Sequence, residues 1–295
     1  MINHKKDGFF KLYFLNFKTM FLGNVFFSVP LIICGGIVYG ISLLIGQSEN
    51  LWFLGLIIPL VYPFFSGVTQ ITKDVVNSRQ KSVSAWQSFR KGLKNNYKYF
   101  ILYGILLYLA FIISYYSLIF YYRMAVAEKL FYIPLFVAVI ITLFVIFMSF
   151  SLPILTVTLN LELRHYFKNA ALMAIGELPM NLYVLVTTCM LISACFTVSV
   201  MTPYAVTGFI VIGVTLFLVL PTGISYCSVY RLYPKIEDVF ALAEREKNQN
   251  FPIKPVAVVP TDDDGNPISV DNNSNSDDYV FVNGMMIKKS QINHH

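Results

Sequence analysis

Six stretches of this chain, residues 21–45, 51–71, 99–122, 132–159, 182–201 and 206–229, contain no Asp, Glu, Lys, Arg or His. Charged residues make up only 13% of the 295-residue sequence and hydrophobic ones 56%, whereas a soluble domain carries about 25% charged residues. That scarcity excludes a water-soluble globular fold, because no single core hides so much apolar surface.

Cysteine is sparse as well. Cys34, Cys189, Cys195 and Cys227 all fall inside apolar runs, which fits small buried hydrophobes and excludes a secreted disulfide framework or a zinc spacing. Cys189 and Cys195 lie six apart, on different sides of any helix, so they do not pair within it. Histidine occurs at four positions, of which terminal His294 and His295 are set aside from chemistry. Glu162 and His165 make one E-x-x-H spacing, whereas di-iron bundles use two with further glutamates, so no metal site is expected.

The catalytic motifs are missing too. There is no G-x-S-x-G, H-E-x-x-H or G-x-x-x-x-G-K-[ST], and no pair of intramembrane carboxylates. The expectation is a protein that is not an enzyme, with no catalytic residue and no cofactor. The lack of ionisable side chains within the apolar runs also argues against a proton-coupled pump, which needs an acid or histidine relay.

What is present is length. Each charge-free run has about 20 residues or more, enough to cross about 30 Å of hydrocarbon at 1.5 Å per residue. With no water to satisfy the backbone, such runs fold as helices, and they lack the alternation of barrel strands. The first run exceeds the h-region of a cleavable signal and is expected to stay as a span. Basic residues divide 17 to 2 between the two sets of flanks, with only Arg123 and Lys129 on the sparse side. By the positive-inside rule this places both termini in the cytoplasm. The short outer connections leave no room for a receptor or catalytic domain.

Amphipathic segments lie between spans. In residues 84–97, Trp86, Phe89, Leu93 and Tyr97 recur at helical spacing, with Arg90, Lys91 and Lys94 around them. Trp86, Phe89, Arg90, Lys91 and Lys94 are therefore candidate membrane-surface contacts with anionic inner-leaflet headgroups, or a docking surface for a partner. In residues 161–176, Tyr166, Phe167, Ala170, Ala171 and Ala174 share one face while Arg164, His165 and Lys168 lie away from it. Both units read span, inner amphipathic helix, span, and Gly92 with Gly176, like Tyr99 with Tyr183, are 84 positions apart, which suggests a parallel repeat. Asp74, Arg79, Glu162, Arg164 and Glu177 form a possible charged collar at the inner rim, for which snorkelling is the default reading.

Pro234 suits the first turn of a further cytoplasmic helix over residues 230–250, with Ile236, Val239, Phe240 and Ala243 as its stripe. Residues 251–295 hold 3 basic and 6 acidic residues and read as a disordered acidic tail. Within it, residues 279–287 suit a hairpin about Asn283 and Gly284, or a strand added to a partner. Helix breakers at Asn24, Pro30, Pro59, Pro63, Pro153 and Pro221 are candidate kink or cavity positions, since freed carbonyls line cavities at membrane depth. The plainer reading is close-packed kinked helices, with Gly36 and Gly40 as an approach surface.

Three stretches carry a family resemblance: NVFFSVP at residues 24–30, SVSAWQSFRKGLKNNYKYFIL at 82–102, and residues 152–185. Together they resemble the YesL family of uncharacterised integral membrane proteins of Gram-positive bacteria, over roughly residues 9–240. The sequence departs from it between Pro30 and Pro59 and in the tail. The resemblance implies a bacterial plasma membrane and an accessory role near carbohydrate uptake, and it supplies no catalytic residues. The expected fold is an all-α bundle of six spans with two or three cytoplasmic-side amphipathic helices: an N-terminal segment 1–20, a membrane domain 21–229, a cytoplasmic helix 230–250 and the tail. The expected function is a non-enzymatic accessory or regulatory component without nucleic acid, its place in a sugar-uptake membrane complex being what the resemblance implies. The alternative is an autonomous channel or transporter for a neutral solute.

Overall fold

The computed structural model describes residues 8–78, 83–201, 219–250, 279–282 and 285–288. Its helices are α1 (Phe9–Leu15), α2 (Phe17–Leu44), α3 (Leu51–Leu54), α4 (Ile57–Ser78), α5 (Ala85–Ala127), α6 (Tyr132–Thr158), α7 (Leu163–Gly176), α8 (Leu178–Met201) and α9 (Leu220–Asn250). The chain divides into two units, Met1–Glu237 and Asp238–His295. In the second unit β1 (Tyr279–Val282) pairs antiparallel with β2 (Met285–Lys288), Val282 opposite Met285, as the hairpin reading expects.

Among the described residues, four segments are long and apolar enough to cross a membrane: Phe17–Leu44, Leu51–Asn77, Ala85–Ala127 and Lys129–Thr158. The bent pair of α7 and α8 makes up to five. This is the helix content of a multi-pass membrane protein. Of the sixth expected span, 206–229, the part before Val219 lies outside the described residues, as do the connection 202–205 and tail residues 251–278.

Two expected interfacial helices are not separate. Residues 84–97 do not form a distinct surface helix, because α5 runs unbroken for 43 residues, about 64 Å at 1.5 Å per residue. Residues 230–250 likewise continue α9, with Pro234 inside it rather than in a first turn. Helix α1 lies within the expected N-terminal segment 1–20, for which no helix was expected. It is held by the Tyr226 hydroxyl donating to the Phe9 carbonyl at 2.8 Å and by Tyr13 facing Thr222 at 3.3 Å.

The second amphipathic segment is a helix of its own. Tyr166, Ala170 and Ala174 are buried while Arg164, His165 and Lys168 are exposed, and α7 meets α8 at 88°. The cause of the corner is local. Pro179 has no N–H for the Ile175 carbonyl, and its ring clashes with a carbonyl four residues back, so α7 cannot continue through it. Asn181, fully buried, donates from Nδ2 to Met173 O at 2.9 Å and Ala174 O at 3.4 Å, satisfying carbonyls at the helix end. At the position 84 residues earlier stands Asn95, which offers no such stop, and α5 runs straight through it where the chain bends between α7 and α8. Asn181→Ala is expected to cost about 1 kcal/mol by removing these two bonds, the Met173 carbonyl keeping the Glu177 N–H, read as a lower melting temperature in detergent; an unchanged melt refutes the capping role.

The core sits toward one end of the first unit. Val68, Ile71, Val75, Phe89, Phe100, Leu155, Tyr166 and Leu232 are buried there, whereas Ile33, Ile37, Ile113, Phe120, Ile133 and Phe136 farther along their helices are exposed. The same end collects Arg90, Lys91, Lys94, Lys168 and Lys235, and it is called the basic end below. At the opposite end Gly46, at φ +68°, closes α2 in the left-handed conformation that glycine adopts freely.

Candidate functional site

α4 carries a polar stripe through the core. Ser66, Thr69, Gln70, Lys73 and Asp74 recur at helical spacing on one face, and Ser66, Thr69 and Gln70 are at most 3% exposed. Asp74 accepts hydrogen bonds from Gln70 Nε2 at 2.8 Å and from Ser88 Oγ of α5 at 2.7 Å. Lys73 Nζ donates to the Val157 carbonyl at 2.8 Å. That carbonyl belongs to the last turn of α6, where a cation also meets the favourable end of the helix dipole.

Hydroxyl pairs extend the network. The one hydrogen of Thr72 is drawn to the Val68 or Thr69 carbonyl, so Ser225 of α9 donates to Thr72 across 2.8 Å. By the same reasoning Thr156, bonded to Leu152 O, accepts from Tyr103 at 3.0 Å. Asn24 of α2, fully buried, accepts the Thr222 backbone N–H at 2.8 Å. Thr222 lies in the first turn of α9, where that N–H has no helical partner, so Asn24 caps α9 from another helix. Asn24 Nδ2 is buried without a partner. Burial pushes the Tyr13 phenol above its ordinary value, and the Thr222 hydrogen bond pulls it partly back; Tyr13 therefore stays protonated.

The α4–α5 contact depends on missing side chains. A Cβ on Gly92 would lie 2.6 Å from both Gln70 Cβ and Ser66 O, and one on Gly67 would lie 2.3 Å from the Phe89 ring. Gly36 and Gly40, the expected approach surface, have nothing within 4 Å of such a Cβ. The close approach is made instead by small residues facing α4, where polar partners hold it.

The surface candidates divide. Trp86 is 58% exposed with its ring 5.4 Å from Phe26, and Arg90, Lys91 and Lys94 are exposed. Phe89 is not a surface contact, being 5% exposed and packed on Phe26 at 5.1 Å. The buried face of this segment is Ala85, Ser88, Phe89 and Gly92. Serine and glycine form the face toward α4, while Trp86 and Tyr97 stay exposed on the expected stripe.

Among the helix breakers, Pro30 and Pro63 lie inside α2 and α4. Pro59 and Pro221 fall in first turns, where a missing N–H costs little. Pro153 borders a cavity of about 160 Å³ between α4, α6 and α9. The charged collar does not converge. Asp74 is engaged as above, Glu177 lies 3.8 Å from Lys235, Glu162 and Arg164 are exposed, and Arg79 is outside the described residues. Glu162 and His165 stand 4.0 Å apart in solvent. Arg231 stacks on Tyr183 at 4.1 Å, and its Nε is buried without a partner.

The polar stripe on α4 was legible as helical spacing in the sequence. It escaped notice because Lys73 and Asp74 fall just past a boundary drawn by absence of charge.

Residues 48–118, which cover α3, α4 and most of α5, match the model of a family described as a protein of unknown function, DUF624. The match takes in Gln70, Asp74, Ser88, Gly92 and Gly104. No curated protein and no solved structure matches the chain.

Proposed function

We propose that this chain is a non-enzymatic membrane component that assists or regulates solute uptake by binding a partner complex, with carbohydrate uptake as the process the YesL resemblance suggests. One observation carries the reading: several buried polar groups tie one helix to another. Asp74, Thr72, Thr156, Asn24 and Lys73 each bond a neighbouring helix, while exposed Arg90, Lys91 and Lys94 remain for contact with anionic headgroups or a partner. In this reading the basic end faces the cytoplasm of a bacterial plasma membrane, both termini lie on that side, and the six-span count holds.

The second reading, an autonomous channel or transporter for a neutral solute, draws on the cavity at Pro153. It requires polar continuity to both ends of the bundle, whereas the cavity beside it is lined by hydrocarbon such as Leu106, Val145 and Leu152.

Deleting the gene in its host is expected to lower uptake of at least one carbohydrate, while the purified chain alone in liposomes passes none. Saturable sugar flux through those liposomes overturns the accessory role in favour of the transporter. Unchanged carbohydrate uptake in the deletion strain removes the sugar link.

A further inference from the structure

Two cavities adjoin at the level where the buried core gives way to exposed apolar helix. One, about 160 Å³, is bordered by Thr69, Ser149, Pro153, Ser225 and Ser228. The other, about 240 Å³, is bordered by Leu106, Ala110, Val145, Met148 and Leu152. Both include Tyr62, Leu107 and Ser149 in their walls, so they share a boundary. Leu106 is 40% exposed, which opens the apolar cavity to the lipid side.

The chemistry of the two differs. In the first, Thr69, Ser149 and Ser228 have given their hydroxyl hydrogens to the Phe65, Ile146 and Ile224 carbonyls, and Ser225 has given its hydrogen to Thr72. Their lone pairs remain. Pro153 supplies no N–H to the Ser149 carbonyl, which leaves a further acceptor. The lining is mostly hydrocarbon, set with these acceptor oxygens and the Tyr62 phenol and with no cation among its residues, so it disfavours a carboxylate or phosphate and suits an uncharged head that donates hydrogen bonds. The second cavity offers almost only carbon. A cavity of about 150 Å³ so lined stays dry and takes up apolar molecules.

We propose that the pair forms a binding site for a neutral amphiphile, with one hydrocarbon chain in the α5–α6 cavity and an uncharged, hydroxyl-bearing head among Thr69, Ser149, Ser225 and Ser228. The site stands independently of the accessory role, since it concerns a membrane-derived ligand and not a protein partner.

The full-length chain in phosphatidylcholine nanodiscs is titrated with 1-monolauroylglycerol, with laurate at a pH where it is ionised, and with glycerol. Saturable binding of the monoacylglycerol is expected, with laurate at least about tenfold weaker and no competition by glycerol. Ala110→Phe fills the chain cavity and lowers monoacylglycerol affinity by about tenfold or more. If that variant fails to fold, Val145→Phe enters the same cavity and carries the test. Absence of saturable binding, equal affinity for laurate, or undiminished affinity in the folded variant overturns the proposal.

Discussion

Gly92→Leu is expected to separate α4 from α5 and lower the melting temperature in detergent by roughly 6 °C or more, from a loss of about 3 kcal/mol or more. The reason is backbone contact. The new Cβ alone would sit 2.6 Å from Ser66 O and Gln70 Cβ, and neither is the mobile tip of a side chain. Relief requires the helices to part, which also stretches the bond from Ser88 to Asp74 one turn away and unseats Phe89 from Phe26. Gly92→Ala is expected to share most of the loss, because the clash begins at Cβ. Gly36→Leu is the control: among the described residues nothing lies within 4 Å of a Cβ there, and its melt is expected to match the parent protein. Equal melts for Gly92→Leu and Gly36→Leu refute the close approach.

Asp74→Ala is the second large effect. It removes the acceptor for Gln70, which is 3% exposed, and for Ser88, which is 7% exposed. Orphaned buried donors and lost charge-assisted hydrogen bonds together cost about 2–4 kcal/mol, somewhat less to the extent that half-buried Asp74 meets water. Asp74→Asn retains an oxygen acceptor and is expected to lose about half as much or less. A double-mutant cycle separates the bond from general damage: Ser88→Ala should cost less in the Asp74→Ala background than in the parent. Additive losses would show that the two side chains are not coupled.

The spacing of 84 linking Gly92 to Gly176 and Tyr99 to Tyr183 suggested a repeat of span, inner helix and span, and the two segments it links fold differently. The difference between them turns on one residue type, Pro179 against Asn95, and on the Asn181 side chain reaching back to close the end of α7. Pro179 was available to a reader of the sequence, but the 88° turn also required knowing which carbonyls Asn181 meets. The stripe on residues 84–97 shows the opposite case. Its spacing identified a helix, and Trp86 stands exposed as a surface residue would, but the periodicity did not show that Ser88, Phe89 and Gly92 form a second face held close against α4.

Apolar length was enough to indicate a mainly helical chain with several helices able to cross a membrane, since lipid leaves the backbone no other partner than itself. Which helices are continuous, where the core lies, and that Asn24, Lys73 and Asp74 act as ties between helices were decided only by tertiary structure. Those outcomes depend on which distant groups meet, and a hydrogen bond spanning 198 positions, such as that from Thr222 to Asn24, has no local trace in the chain.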